Sequence, residues 1–357
     1  MLAPMTTSSP DPDRPPLDIL VLGGTSWLGG AIARVAVARS HRVTCLARGE
    51  AGSPPDGVTW VRADRSEPTA YAPVAEEDWD AVVDVSWQPD FVRSALASLA
   101  DRARHWVYVS SCSVYSDDSI PDTDESAAVH EPWQGSGRVD GEQYGQAKVA
   151  CEQACLAAMG DDHVLLARAG LIAGYGDRSD RFGYWPARAA QAADGEAVLV
   201  PPLKSAQQVI DVEDLAQWLV LGCEEQVAGV FNALGDVYSL SDVVEASAAA
   251  AGTRPNYVEA SDDWLAAHEV EPWMGAESLP LWLPQSDYLG FMTRRNDAAT
   301  AAGMRLRPLA ETVASSLRWE REQGLDRERR AGLTASRESA LLGALGEPGG
   351  HGDSSPQ

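Results

Sequence analysis

The stretch Leu17–Gly30, which reads LDILVLGGTSWLGG, decides the fold that the sequence predicts. Leu17–Leu22 is a short apolar run of the kind found in strands that are buried on both faces. A glycine-rich turn follows, and the next residues, AIARVAVAR, have the composition and length of a helix. A helix that starts at such a turn offers unpaired N–H groups and a positive dipole end to an anion. Gly23 permits the tight turn, and Gly29 lets the helix and the strand pack closely.

A second strand, Arg42–Leu46, completes a βαβ unit of the length that dinucleotide binding requires. Further strands are predicted at 58–61, 80–85, 105–110, 163–169 and 229–235. Because strands and helices alternate, we expect an α/β fold with a doubly wound parallel sheet of the Rossmann type. Ligands of such sheets lie beyond the carboxyl ends of the strands. The residues that follow the strands should therefore gather at one edge, namely Arg48, Asp64, Ser86 and Ser110.

The length of 357 residues exceeds one average domain, so two lobes are expected. We predict a dinucleotide-binding domain at 17–169 plus about 208–235, and a smaller, mixed α/β substrate lobe at about 170–207 plus 236–323. The leader, 1–16, is rich in Pro, Ser and Asp and should be disordered. We expect the tail, 324–357, to be largely disordered as well, since its end is rich in Gly, Ser and Pro.

The net charge of −25 opposes binding to nucleic acid or to an anionic membrane, because both require a basic surface. No apolar run approaches the ~20 residues that a membrane span needs. The amino terminus lacks the pattern of a secretory signal, and the five cysteines are scattered, so a reducing cytoplasm is the simplest compartment. We assign no metal site, since neither the cysteines nor the six histidines have ligand spacing.

Tyr144 and Lys148, in the sequence YGQAK, form the second strong signal. Side chains four residues apart share one face of a helix. An ammonium group beside a phenol favours the ionised phenol, which would let Tyr144 exchange protons near neutral pH. The pair follows the fifth predicted strand, which ends in a cluster of serines, by one long loop.

Together these features resemble the short-chain dehydrogenase/reductase superfamily, in its extended branch of nucleotide-sugar epimerases, dehydratases and reductases. The resemblance covers roughly residues 17–319 and rests on LGGTSWLGG, VSSCSVY, YGQAK and VIDVEDLA. More narrowly, GGTSWLG, DRFGYWP and LPLWLP look like an atypical bacterial group of NAD(P)-dependent, epimerase-like reductases. Ser26 stands where the extended branch has its middle loop glycine, and we expect its hydroxyl to donate to phosphate. Cys112-Ser113 replaces the Asp-Glu pair of the dehydratases, which weakens that reading.

The resemblance implies a role for each matching position. Ser111 would bond the substrate oxygen, Tyr144 would be the general acid/base, and Lys148 would hold the nicotinamide ribose. The predicted cofactor contacts are Gly23, Thr25, Ser26, Trp27, Leu28, Gly29, Arg48, Asp64, Ser86, Ser110, Tyr144, Lys148 and Leu171. The predicted substrate contacts are Trp87, Ser113, Arg181, Tyr184 and Trp185, for which packing roles are the alternative.

The sequence thus predicts an NADP(H)-dependent oxidoreductase that acts on a small carbonyl or sugar-like substrate, with NAD(H) as the alternative cofactor. NADP(H) is favoured because Ala47 takes the place of the acid that binds the NAD ribose, and Arg48 beside it suits a 2′-phosphate. Two other functions stay open: a nucleotide-sugar epimerase with retained NAD(P), and a non-catalytic NADP-sensing or RNA-associated protein. The resemblance also implies a homodimer.

Overall fold

A computed structural model describes residues 14–346 of the chain, so most of the predicted leader lies outside the described residues. The strands are β1 (Asp18–Leu22), β2 (Arg42–Ala47), β3 (Thr59–Arg62), β4 (Ala81–Asp84), β5 (Trp106–Ser111), β6 (Val164–Ala169), β7 (Leu171–Ala173), β8 (Ala197–Val200), β9 (Ala206–Asp211), β10 (Gly229–Ala233), β11 (Val237–Ser239), β12 (Asn256–Glu259), β13 (Glu271–Trp273) and β14 (Ser278–Pro280). The α-helices are α1 (Trp27–Ala38), α2 (Pro89–Leu99), α3 (Tyr144–Met159), α4 (Arg181–Gln191), α5 (Val212–Glu225), α6 (Leu240–Ala251), α7 (Asp262–Ala267), α8 (Gln285–Tyr288), α9 (Asp297–Ala301), α10 (Leu309–Gln323) and α11 (Ala335–Leu345).

The chain divides into two compact units. Unit 1 comprises Met1–Val114, Val129–Arg168 and Leu215–Phe231, and unit 2 comprises Tyr115–Ala128, Ala169–Asp214 and Asn232–Gln357. These bounds differ from the predicted domains mainly at Tyr115–Ala128, which the sequence placed in the dinucleotide-binding domain. Among residues 14–346, no helix combines the length and hydrophobicity that crossing a bilayer demands.

Unit 1 carries a seven-stranded sheet with the strand order β10-β6-β5-β4-β1-β2-β3. β1 pairs in parallel with both β2 and β4, so the direction of strand addition reverses at β1. This arrangement confirms the predicted doubly wound α/β fold, and it opens a ligand crevice at the carboxyl ends of β1 and β4. The centres of β1, β4, β5 and β6 are fully buried, as continuous apolar runs predict, whereas the edge strands β3 and β10 are partly exposed.

The core of unit 1 places α3 over the sheet. Buried side chains from β1, β4 and β5, such as Leu20, Val82 and Trp106, join those of α2 and α3 in one cluster. α3 packs against α2, β5 and the short 3₁₀ turn Cys112–Val114. The helix that begins at Tyr144 is therefore anchored along the carboxyl half of β5.

Unit 2 is a mixed α/β unit in which α4, α6 and α10 pack against one another. Its small sheets are ordered β11-β9-β7, β12-β8 and β13-β14. Its core is rich in large side chains, including Phe182, Trp185 and Trp282. Two of the twelve tryptophans of the sequence, Trp185 and Trp282, are therefore packing residues of unit 2.

The expectation of a largely disordered tail is wrong for residues 324–346. Within this segment α11 forms, and Leu333 and Leu341 join the core of unit 2. Glu338 accepts a hydrogen bond from the Leu199 amide at 3.0 Å and pairs with Arg188 at 2.7 Å. The prediction failed because the Gly, Ser and Pro content of the last residues was extended to α11, a short amphipathic helix that comes before them. Residues 347–357 lie outside the described part.

Candidate active site

The glycine-rich turn brings β1 and α1 into direct contact, which explains its composition. Gly23 has a φ of +95°, and its amide donates to the Leu46 carbonyl at 2.9 Å. A Cβ on Gly29 would lie 2.2 Å from the Gly23 carbonyl oxygen, and one on Gly24 would lie 2.4 Å from the Cys45 sulfur. Side chains at these positions would collide with the neighbouring backbone and strand. These glycines therefore let the turn, β2 and α1 pack closely.

The Ser26 side chain caps the N-terminus of α1, so its hydroxyl proton is used within the turn and is not directed at a phosphate. Its hydroxyl accepts from the Gly29 amide at 3.2 Å and donates to the Gly23 carbonyl at 2.8 Å. Its φ is −72°, so this position needs no glycine. Thr25, Trp27 and Leu28 follow the turn around the start of the helix, where Leu28 is buried and can offer a ligand only its backbone.

A groove of about 270 Å³ runs along the carboxyl ends of β1, β2 and β3 within unit 1. Its lining includes Gly23, Thr25, Ser26, Arg48, Asp64 and Ser86, six of the residues predicted to contact the cofactor. Arg48 pairs with Glu50 at 2.9 Å and lies 3.6 Å from Asp64. Hydrogen bonds from the amide and hydroxyl of Ser66, with Arg48 nearby, lower the pKa of Asp64.

The wall of this groove contains a buried ion pair that sequence reasoning missed. Arg65 donates to both carboxylate oxygens of Asp84 at 2.7 Å, and to the Phe91 carbonyl at 2.8 Å. Burial alone would lower the pKa of Arg65, but the adjacent Asp84 carboxylate outweighs it and raises that pKa. Asp84 in turn accepts from the Ser86 amide at 2.9 Å, which fixes the turn after β4. This pair shapes the groove and keeps the ends of β3 and β4 together.

Lys148 is almost completely buried, with 2% of its surface exposed, although lysine rarely is. Its ammonium donates to the Val109 carbonyl at 2.5 Å and to the Ser86 carbonyl at 3.1 Å. These bonds fix it at the ends of β4 and β5, 5.9 Å from the centre of the Tyr144 ring. Two backbone carbonyls thus engage two of the three N–H donors of an ammonium group.

The start of α3 lies against the serine turn that follows β5. A Cβ on Gly145 would lie 2.1 Å from the Ser113 carbonyl oxygen, so only glycine lets the helix approach this closely. The Ser111 hydroxyl donates to the Ser113 hydroxyl and accepts from the Ser113 amide, both at 3.2 Å. The Trp87 ring packs on the Tyr144 ring, with their centres 5.4 Å apart. The half-buried Ser111, Tyr144, Trp87 and Ser113 therefore belong to one part of unit 1.

Ser110 does not have the role that the sequence predicted for it. Its side chain is buried and donates to Glu152 at 2.5 Å, so it is not available to a cofactor. Glu152 also accepts from Arg168 at 3.0 and 2.8 Å. Sequence reasoning missed this cluster, although Glu152 follows Lys148 by four residues and hence lies on the same face of α3.

The remaining predicted residues lie in unit 2. Leu171, Tyr184 and Trp185 have buried side chains in the core of that unit, and the Trp185 indole donates to the Pro280 carbonyl at 2.9 Å. The expectation that Tyr184 and Trp185 contact a substrate is wrong, because both side chains are buried in this core. The Leu171 side chain is buried as well, so only its backbone could contact a cofactor. Arg181 is half-buried at the start of α4, with its guanidinium carbon 5.2 Å from the centre of the Trp273 ring.

Comparison with known proteins shows what the chain is similar to. The family model described as the NAD dependent epimerase/dehydratase family matches residues 91–233, a range that contains Ser111, Tyr144 and Lys148. A 2′-dehydrokanamycin reductase of Streptomyces kanamyceticus is 28% identical over 229 residues. That alignment covers 63% of this chain and spans only 60% of the length of the reductase. The match over residues 91–233 and these relatives support an extended short-chain dehydrogenase/reductase-like family.

Solved structures agree with the fold of this chain. A candidate epimerase of Burkholderia cenocepacia superposes with a TM-score of 0.65 at 21% identity, covering 87% of this chain and 99% of its own. A UDP-glucuronic acid 4-epimerase of Bacillus cereus, solved with NAD, gives a TM-score of 0.61 at 13% identity, covering 88% and 100%. Likeness at these identities shows the fold alone. The matched family model is that of NAD-dependent enzymes.

Proposed function

We propose that this protein is an NADPH-dependent oxidoreductase that reduces a ketone, or oxidises the corresponding alcohol, on a sugar-like substrate. The observation that carries the proposal is the joint placement of Tyr144, Lys148 and the Ser111–Ser113 turn at the carboxyl ends of β4 and β5. Lys148 is held there by two strand carbonyls, and Tyr144 lies one helical turn before it. The same sheet edge continues into the groove that contains Arg48.

The residues present fit a bound dinucleotide. The groove lined by Gly23, Thr25 and Ser26 gives room for a diphosphate near the start of α1, where the helix dipole attracts negative charge. The remaining donor of the Lys148 ammonium suits a ribose hydroxyl. Arg48 suits a 2′-phosphate, and its pair with Glu50 is exposed, with 44% and 71% of the two side chains accessible. Such exposed pairs contribute only ~0–1 kcal/mol, so a phosphate can displace Glu50.

A bound nicotinamide would supply hydride to the substrate carbon, and residues of the protein would transfer the proton on the oxygen. The Tyr144 hydroxyl donates its proton to the substrate oxygen as the carbonyl is reduced, and it takes a proton back in the reverse direction. The Ser111 hydroxyl donates a hydrogen bond to the same oxygen. The Lys148 ammonium stabilises the Tyr144 oxygen when the proton has left. Trp87 packs on the Tyr144 ring and so limits its rotation.

A keto sugar that carries amino groups is the first substrate class to test. The relative from Streptomyces kanamyceticus is named for reduction of 2′-dehydrokanamycin. The net charge of −25 would attract such a polycation and raise its association rate. We therefore expect keto derivatives of aminoglycosides to be better substrates than neutral or anionic keto sugars.

The test is a screen of these ketones and of UDP-sugars that follows the absorbance of reduced nicotinamide, and then a comparison of variants on the best substrate. Tyr144→Phe should lose at least about a hundredfold in turnover and still bind NADPH, because general acid–base catalysis contributes ~10²–10⁴. Tyr175→Phe, which removes an exposed phenol in unit 2, is the matched control and should keep its turnover. Full turnover by Tyr144→Phe would refute the assignment, and conversion of a UDP-sugar without net redox change would show an epimerase instead.

A further inference from the structure

Edge strand β3 carries two large side chains that the core of unit 1 does not use. Trp60 is 39% exposed, although tryptophan is usually more buried, and Arg62 is exposed as well. The two residues alternate with Val61 and hence lie on one face of the strand. Their side chains bond to the backbone at the end of the neighbouring strand β2, which is the segment that carries Arg48.

The contacts fasten two consecutive carbonyls of that segment. The Trp60 indole N–H donates to the Ala47 carbonyl at 3.2 Å, and the Arg62 Nε donates to the Arg48 carbonyl at 3.1 Å. The Arg62 guanidinium carbon also lies 6.0 Å from the centre of the Trp60 ring, within the range of a cation–π contact. The two donors therefore support each other as well as the backbone.

Gly49 gives a third point of attachment. Its φ is +86°, and a Cβ there would lie 2.7 Å from the Trp60 ring, so the indole packs directly on this glycine. Ala47, Arg48 and Gly49 are thus all held by side chains of β3. A loop after a strand would ordinarily expose these groups to water and sample several conformations.

We propose that Trp60 and Arg62 are positioning residues for cofactor choice: they fix the Ala47–Gly49 backbone so that the Arg48 guanidinium faces the 2′-phosphate of NADPH. The inference rests on the proposed preference for NADPH and names the residues that set its strength. A guanidinium that is already placed loses less conformational freedom when it grips a phosphate with paired hydrogen bonds. NADH has no 2′-phosphate, so its affinity should not depend on this support.

The experiment measures the dissociation constants of NADPH and NADH for the full-length protein by calorimetric titration, without any substrate. Trp60→Phe keeps a ring over Gly49 but loses the indole donor, and Arg62→Met keeps the stem but loses the guanidinium. Each should weaken NADPH binding roughly three- to tenfold, the effect of one lost hydrogen bond, and change NADH binding less than about twofold. Arg42→Met is the matched control: it removes an exposed arginine from the opposite end of β2 and should change neither constant.

A double-mutant cycle separates positioning from direct contact. If Arg62 acts through Arg48, then adding Arg62→Met to Arg48→Ala should cause no further loss of NADPH affinity. Additive losses would show that Arg62 touches the phosphate itself and would overturn the positioning role. If Arg48→Ala abolishes the preference but Trp60→Phe and Arg62→Met leave it intact, this inference fails and the proposed function stands. Equal affinities for NADPH and NADH in the unmodified protein would overturn both.

Discussion

Glu152→Gln tests how the helix that carries Tyr144 and Lys148 is held on the sheet. Glu152 joins Ser110 on β5 to Arg168 on β6, and the side chains of Glu152 and Arg168 are only 5% and 8% exposed. Glutamine has the same shape but no charge, so Arg168 would keep a buried charge without its counter-ion. Breaking a buried ion pair from one side costs about 3–5 kcal/mol. The glutamine amide oxygen can still accept hydrogen bonds from Arg168 and Ser110. We therefore expect Glu152→Gln to lower the free energy of unfolding by about 3 kcal/mol, the lower end of that range.

The matched variants separate charge from shape. Adding Arg168→Met to Glu152→Gln removes both charges, so this double variant should regain most of the lost stability, since apolar replacement of a buried pair is often neutral. Glu142→Gln removes an exposed carboxylate just before α3 and should change stability by less than about 0.5 kcal/mol. All four proteins, including the unmodified one, carry the same helix sequence around Tyr144 and Lys148.

The assay is urea unfolding followed by circular dichroism, with the free energy extrapolated to water. NADPH binding to Glu152→Gln should weaken as well, because Lys148 lies one turn from the disturbed contact on α3. Two results would show that the Glu152–Arg168 pair does not hold α3 on the sheet. One is a free energy of unfolding of Glu152→Gln within 1 kcal/mol of that of the unmodified protein, and the other is a double variant no more stable than the single one.

Two further predictions concern stability. A chain that ends at Arg330 loses the buried Leu333 and Leu341 and the Glu338–Arg188 pair, so it should be insoluble or less stable by roughly 5 kcal/mol or more. A chain that ends at Gly346 keeps these contacts and is the control. Equal melting temperatures of the two truncated chains would contradict the prediction. Burial, with His163 nearby, lowers the pKa of His105 to about 4, so the unfolded chain binds a proton between about pH 6.5 and 4 that the folded chain does not. The free energy of unfolding should therefore decrease by up to about 3 kcal/mol as the pH falls from 6.5 to 4. If a His105→Phe variant loses stability with the same dependence on pH, the prediction is wrong.

The strands and the doubly wound parallel sheet could be predicted because the signals are local. The strands of unit 1 begin and end within one or two residues of the apolar runs that predicted them, and α3 begins at Tyr144 as its motif requires. The glycine-rich turn could be predicted for the same reason: Gly23 has a positive φ, and Gly29 lets α1 approach the backbone of the turn. Each of these features is determined by neighbours in the sequence.

The missed features depend on partners that are distant in the chain. Arg65 and Asp84 are 19 residues apart, and Arg188 and Glu338 are 150 apart, so no periodicity marks either pair. Burial of Tyr184 and Trp185 was not visible either, because an aromatic residue near the start of a helix suits a pocket wall and a core equally well. The sequence also concealed α11, whose apolar face is covered only once unit 2 has folded.

The end of β5 shows why a buried ion pair persists beside the candidate catalytic residues. The Val109 carbonyl holds Lys148, the Ser110 hydroxyl holds Glu152, and Ser111 presents its hydroxyl at the turn. A shift of α3 by one residue would turn its side chains by about 100° around the helix axis, so Lys148 and Glu152 would lose these partners. An apolar contact at Ser110 and Glu152 could stabilise the fold as well but would tolerate such a slip, because hydrophobic packing is not directional. The directional bonds of Glu152 therefore select the one register in which Gly145, next to Tyr144, lies against Ser113, and that register is what the proposed chemistry requires.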